Sequence, residues 1–450
     1  MMKKFIRAAF AVSLLGGVAL AALPNAAGAA DDAKKSDEPA VSKKVGISLY
    51  EAQKLMQSGD YAGAMAKVTE AEAITDRTPE DDYQIAKFKG YIAINLKDEA
   101  TALAAFEAMA NSPMLPESDK ASTYQNAMLL NARAKNYADE IKYGKLLEAI
   151  KPLDDKSLAM MSQAYYLQND PANAGVYAEK SVEAAKAEGV QPDPVVLEIQ
   201  MSAQTKAHDQ SAALKTLEDL AVATNEPSDW QQLTSLALTT NGIRDIDALY
   251  IYRLRFMSGA MKESDDYTIL ARIALQLGYP EEAKEVLEQG VNTGKIAAGY
   301  GEAGGLLAKA KTDAAADHEA LPSIAAAAEK SKTGEQDVKL AEDYWGYGRY
   351  ADAEAAARRA ISKGGLKDPS EGNFILGISL VAQTKNLDAV DPLGKVDGTA
   401  ARSRAGYLWS LYAKARAKQM GQTASAPPAQ TTAPAQTAAP AQPAQQPNQQ

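Results

Sequence analysis

Apolar and small residues recur between Val45 and Met420 with a fixed internal spacing. A small or modest residue is followed twelve places later by Ala, four further on by an apolar residue, and three further on by another. Ala52, Ala64, Val68 and Ala71 set the pattern, and Gly90, Ala102, Phe106 and Met109 repeat it. So do Ser162, Ala174, Ala178 and Ser181, then Met201, Ala213, Leu217 and Leu220, then Ala271, Ala283, Leu287 and Gly290. Ala341, Ala353, Ala357 and Ala360 are the clearest set, Gly377, Ala389, Leu393 and Val396 the last, and weaker copies start at Met128 and Leu236. Steps of four and three place side chains on one helical stripe. Each set therefore predicts two antiparallel helices that approach closely where the small residue meets the Ala twelve positions on.

Turn residues fall where that reading needs them. Gly59-Asp60-Tyr61, Asn169-Asp170-Pro171, Gly278-Tyr279-Pro280 and Gly348-Arg349-Tyr350 each stand between the two predicted helices of a unit. Gly or Asn can take the left-handed conformation that ends a helix, and Pro fits the first turn of the next. Of the twelve prolines in this region, Pro79, Pro113, Pro116, Pro152, Pro192, Pro194, Pro227 and Pro369 mark the handover between units, and only Pro322 and Pro392 intrude on a predicted second helix. Successive units start 34 to 39 residues apart, apart from one gap of 70 that leaves room for a degenerate unit over 299–332. This is the period of a two-helix repeat.

Turn and spacing together resemble the tetratricopeptide repeat (TPR) family: Gly-Asp-Tyr-x-x-Ala at Gly59 to Ala64, and Gly-Arg-Tyr-x-x-Ala-x-x-x-Ala-x-x-Ala at Gly348 to Ala360. Glu140 departs from it, standing where Ala is expected, and the units over 122–150, 230–257 and 299–332 are expected to be distorted. The resemblance implies an all-α, right-handed superhelical solenoid of about ten antiparallel helix pairs over 45–398, whose first helices line a concave, peptide-receiving face. The side chains placed before each turn to reach that face are Gln53, Met56, Tyr91, Asn95, Gln125, Gln163, Tyr166, Arg272, Trp345 and Phe374. Within the aromatic run from Tyr344 to Tyr350, Trp345 and Tyr347 are the two expected to face outward. Residues 399–420, with Tyr407, Leu408, Leu411 and Tyr412 on one face and basic residues on the other, predict a helix capping the open end of the stack.

The two ends read differently. Residues 1–29 have the parts of an export signal: basic Lys3, Lys4 and Arg7, an uncharged apolar run from Ala8 to Leu23, and small residues at Ala27-Gly28-Ala29. The run is broken by Gly16-Gly17 and is shorter than a membrane span wants. Residues 30–44 are charged and polar and are expected to form a flexible linker. Residues 421–450 carry no charge and six prolines among Ala, Gln, Thr and Ser, a composition that cannot bury enough apolar surface to offset its ordering entropy, so a disordered tail is expected.

Composition narrows the chemistry. The net charge of −10 opposes phosphate backbones and makes nucleic acid an unfavourable partner. With no Cys and two His, disulfides, thiolate nucleophiles and Cys-based metal sites are excluded, and little remains for His-based chemistry. Asp317-His318-Glu319 reads as solvated surface. Gly299-Tyr300-Gly301-Glu302-Ala303-Gly304 spells a dinucleotide-loop pattern but follows a polar stretch instead of a buried strand, so no cofactor is expected. Asp154-Asp155 and Asp265-Asp266 sit where carboxylates cap helix N-termini.

A cysteine-free exported chain of this length fits a bacterial periplasm. The expected function is a periplasmic scaffold or adaptor that binds an envelope or exported protein or peptide. It has no catalysis, cofactor or metal of its own, and no membrane span once the signal is removed. The alternative is a cell-wall glycan-binding protein or an enzyme of envelope metabolism.

Overall fold

The computed structural model describes residues 40–297 and 301–422. The export signal, most of the linker, the start of the dinucleotide-like pattern and nearly all of the tail lie outside them. Every regular element among the described residues is a helix. They fall into two compact units divided after Asp266. The first unit contains five hairpins, α1 (Lys43–Gln57) with α2 (Tyr61–Glu72), α3 (Pro79–Leu96) with α4 (Glu99–Ala110), α5 (Glu117–Ala134) with α6 (Tyr137–Glu148), α7 (Asp155–Leu167) with α8 (Pro171–Ala187), and α9 (Pro194–Lys206) with α10 (Gln210–Thr224). A sixth pair, α11 (Pro227–Leu238) and α12 (Asp245–Met257), completes it. The division falls in the first turn of α13 (Ser264–Leu277). In the second unit α13 is followed by α14 (Pro280–Asn292), the single long helix α15 (Gly301–Lys330), then α16 (Glu335–Gly346) with α17 (Tyr350–Lys363), α18 (Pro369–Ala382) with α19 (Asn386–Gly394), and α20 (Ala400–Gln419). This is a TPR-like array of helix hairpins, all-α as expected.

One turn closes nearly every hairpin. Its first residue is left-handed: Gly59, Lys97, Lys135, Asn169, His208, Gly278, Gly348 and Thr384 all have φ between 59° and 83°. The N–H of the next residue then reaches the carbonyl five positions back at 2.8–3.0 Å, as from Asp60 to Leu55 and from Asp209 to Gln204. That next residue is often Asp, whose carboxylate accepts from the first turn of the following helix, as Asp60 does from Gly63 at 2.8 Å and Asp170 from Asn173 at 3.1 Å. His208, one of only two histidines, thus occupies an exposed turn position. Lys97, Lys135, His208 and Thr384 fill this position without being Gly or Asn, which is why the sequence shows only half of these turns.

The small residues sit where two helices touch. Ala52, Ala64, Ala102, Ala174, Ala271, Ala283, Ala341, Ala353 and Ala389 are fully buried. A methyl on Gly90 would stand 3.2 Å from Phe106, and one on Gly377 would overlap Leu393. Ser162 turns the same approach into a hydrogen bond, its hydroxyl donating to the Ala174 carbonyl at 3.0 Å. The weaker copy read from Leu236 is one residue out of register: Leu236 is 51% exposed and Ala237 is the buried position. Within the degenerate unit, the described residues Gly301–Lys330 have no turn and form one helix, with Pro322 inside it.

Glu140 occupies a buried Ala position of an otherwise regular hairpin, and burial alone pushes its carboxyl up to about 8. A raised carboxyl stabilises the fold at low pH, where it is neutral in both states. That contribution fades as pH rises from about 4, where the unfolded chain ionises, through the folded value. Glu140→Gln should therefore melt several degrees above the parent at pH 8 and together with it near pH 4, measured by calorimetry. Gly377→Val should lower stability by about 1–3 kcal/mol through overpacking, and Lys135→Gly should raise it by about 1 kcal/mol by relieving the left-handed turn, both read by urea unfolding.

Candidate functional site

A polar cluster of the first unit, built around the buried Tyr83, lies where first helices of neighbouring hairpins meet. On α3, Tyr83, Lys87 and Tyr91 follow one another at helical spacing, and Asp119 stands in the first turn of α5. Its carboxylate accepts from the Tyr83 hydroxyl at 2.7 Å and from the Lys87 ammonium at 2.6 Å. Burial works against the Asp119 charge, but the Lys87 and Tyr83 hydrogen bonds outweigh it and hold the carboxyl below its usual range. Burial, then the Asp119 charge, pushes the Tyr91 phenol up, while Ser122 draws it back. The Tyr91 ring meets Phe106 edge-on at 5.5 Å, so its apolar body is anchored in the hairpin. Beyond it on α5, Gln125 accepts from Lys151 at 3.4 Å, and on α7 the amide nitrogen of Gln163 is buried without a hydrogen-bond partner.

Seven of the ten residues expected on the binding face belong to this unit. Tyr91, Gln125, Gln163 and Tyr166 are half-buried, and Asn95 is exposed with its amide bonded to the Tyr91 carbonyl. Met56 packs against the α1–α3 core, and Gln53 is 8% exposed, buried beside Leu49 and Ala52 on the packed side of α1, so the expectation that it reaches the binding face fails. The other three lie in the second unit. Arg272 is half-buried and pairs with Glu302 at 2.5 Å. Phe374 must be withdrawn: it is 0% exposed because α18 is buried on most of its surface, so spacing before a turn does not bring it out. Trp345 is also buried, edge-on to Tyr350 at 5.8 Å, so the expectation that it faces outward fails. Tyr347, expected beside it, is half-buried and donates to Asp317 at 2.7 Å. Tyr83, Lys87 and Asp119 were missed because the contact joins different hairpins. The one available signal was opposite charge 32 residues apart, close to one repeat.

Chemically the surface offers aromatic rings, amides and one neutralised ion pair, which suit contact with a polypeptide more than bond-breaking. No three His, Cys, Asp or Glu side chains gather as metal ligands among the described residues. Asp154 caps α7 by accepting from Ser157 at 2.8 Å, as its sequence position implied. Asp266 does more than cap, pairing with the buried Arg255 at 2.5 Å. None of the described helices is long and apolar enough to cross a membrane.

No protein-family model matches the chain, and no curated protein matches it. Among solved structures it is similar to a tetratricopeptide repeat protein from Parabacteroides merdae, at 11% identity over 75% of this chain and all of the other, with a TM-score of 0.30. It is similar also to the C-terminal part of a TPR repeat-containing protein from Cytophaga hutchinsonii, at 14% identity over 50% of this chain and 87% of the other, TM-score 0.30. A third likeness is to PilW, a type IV pilus biogenesis factor, at 17% identity over 58% of this chain and 97% of the other, TM-score 0.24. These are likenesses of fold, and the TPR-like architecture rests on the hairpins of this chain.

Asp119 is stabilising while ionised, so its contribution is present above its unfolded pKa and lost as pH falls through its lowered folded value. Lys87→Met removes the main compensating contact, and the acid-unfolding midpoint followed by circular dichroism should move to higher pH. An unmoved midpoint would show that the pair is solvated and inert.

Proposed function

We propose that this protein is an exported scaffold of the bacterial periplasm, holding a polypeptide of the cell envelope and catalysing nothing itself. The observation that carries the reading is the array itself, a series of like hairpins whose first helices carry half-buried aromatic and amide side chains such as Tyr91, Gln125, Gln163 and Tyr166. Half-buried rings anchored at one edge give contact area at little entropic cost, and amides can pair with the main chain of an extended ligand. The basic start, apolar run and Ala27-Gly28-Ala29 of the leader support export. The net charge of −10 and the absence of Cys fit a protein-binding role outside the cytoplasm.

Two measurements test this. N-terminal sequencing of the protein from the periplasmic fraction should start at Ala30, and recovery from the cytosol beginning at Met1 would contradict export. A photo-crosslinking amino acid at Asn95 or Gln163 should capture a discrete polypeptide in living cells, whereas the same residue at exposed Glu70 should not. Equal capture at all three positions would remove the case for this face. Calorimetric heat with cell-wall glycan and no specific capture would favour the glycan-binding alternative.

A further inference from the structure

The loop between α11 and α12 contains the chain's sole Asn-Gly pair, Asn241-Gly242. Both ends of that loop are fastened. At one end the hydroxyls of Thr239 and Thr240 donate to the Leu236 and Ala237 carbonyls at 2.7 and 2.8 Å, closing the last turn of α11. At the other, the Arg244 guanidinium reaches forward to Asp247 at 2.9 Å, and Ile243 is half-buried. Between these anchors Asn241 and Gly242 are exposed. Neither the Gly242 N–H nor the Asn241 side-chain amide makes a hydrogen bond among the described residues. Gly242 is left-handed, with φ at 72°, and a methyl built on it would meet nothing within 4 Å.

A backbone nitrogen can attack the side-chain amide of the preceding residue when its own N–H is not engaged and no Cβ crowds the approach. The other described asparagines outside helices fail one condition or the other. After Asn111 the Ser112 N–H donates to the Met109 carbonyl at 3.1 Å, and after Asn169 the Asp170 N–H donates to that of Tyr165 at 2.9 Å. After Asn225 the Glu226 N–H donates to the Thr224 hydroxyl at 3.2 Å. Asn136 is exposed but is followed by Tyr137, a bulky residue that begins α6. Inside helices, as at Asn95 or Asn126, the next N–H is held by the helix itself. Asn386, at the start of α19, is fully buried.

We infer that Asn241 is a site of spontaneous, time-dependent deamidation. The Gly242 nitrogen gives up its proton and attacks the side-chain carbonyl carbon of Asn241. A new C–N bond forms, the bond to the side-chain nitrogen breaks, and that nitrogen leaves as ammonia with the proton returned to it. Water then opens the five-membered imide at either carbonyl. One product is aspartate. The other is isoaspartate, in which the main chain runs through the former side-chain carbonyl and gains one methylene. Ammonia is lost and water gained in both, with no change of oxidation state, and the chain acquires a carboxylate. That charge stands three residues before Arg244, whose partner is Asp247, so the mark lies at the entry to α12. The reaction needs solvent and time alone, and it stands or falls independently of the scaffold reading.

The test uses the whole mature chain, incubated in warm neutral buffer and mapped by peptide mass spectrometry, beside a synthetic peptide covering residues 237–246. The fragment containing Asn241 should gain the mass that separates OH from NH2, and part of it should elute separately as the isoaspartyl form. Because no hydrogen bond has to open first, the folded chain should react within about threefold of the free peptide's rate. The rate should rise from pH 6 to pH 8, since the attacking nitrogen must lose its proton. Gly242→Ala should slow the reaction severalfold, Asn241→Gln should abolish it at that position, and Asn136 should stay intact over the same period. Reaction slower than in the peptide by about tenfold or more would mean that the fold protects the pair, and would overturn the inference. So would deamidation at Asn136 or Asn169 as fast as at Asn241, or a rate untouched by Gly242→Ala.

Discussion

The close approach of two helices at small side chains is the constraint on which the rest of this structure depends. Six of the hairpins bring a small residue on the first helix (Ala52, Gly90, Ser162, Ala271, Ala341 or Gly377) against an Ala or its neighbours on the second, and the permitted separation is set by the absence of side-chain bulk. Gly90 under Phe106, Gly377 under Leu393 and Ser162 bonded to Ala174 are three versions of that contact. Once a hairpin is closed, its apolar stripes face outward and need a neighbour, so a single pair cannot bury its own surface and the units accumulate. Polar contacts between successive units, such as Lys180 with Glu148 at 2.9 Å or Lys385 with Glu354 at 2.7 Å, are mostly solvent-exposed and add register more than stability.

Most of the fold was legible because this contact leaves a mark in the sequence. A small residue and an Ala twelve positions later are visible without any coordinates, and the prolines at the starts of α3, α8, α9, α11, α14 and α18 act as punctuation. Legibility failed where local chemistry was supplied by an unexpected residue. The left-handed turn is formed by Lys97, Lys135, His208 and Thr384 as well as by Gly and Asn, and no rule of composition reveals that. In α11 the pattern slipped by one residue, since Leu236 and Ala237 both satisfy an apolar template and only packing chooses between them. Over Gly301–Lys330 the expected turn is missing, the sequence there being rich in Ala and able to continue as a helix.

The candidate surface was less legible for a different reason. Spacing before a turn says which residues lie late in a first helix, but burial depends on how far neighbouring units wrap around it. Tyr91, Gln125 and Tyr166 keep an open side, whereas Phe374 and Trp345 are enclosed. Polar contacts between successive elements, such as the Lys87–Asp119 ion pair and the Tyr347–Asp317 hydrogen bond, connect residues about one repeat apart and appear only when the stacking register is known. Acidic residues inside the stack, Glu140 and Asp343 among them, are local violations of the packing rule and draw interest for that reason.

Hydrogen exchange read by mass spectrometry on the whole chain tests the central claim most directly. Helices closed in pairs at small-residue contacts should give protected blocks interrupted by fast-exchanging turns around Gly59, Lys97, Lys135, Asn169, His208, Gly278, Gly348 and Thr384. Protection should run unbroken from Leu307 to Ala326, where one helix replaces a pair. Protection continuing through those turns, or a fast window in the middle of the long helix, would contradict the hairpin array described here.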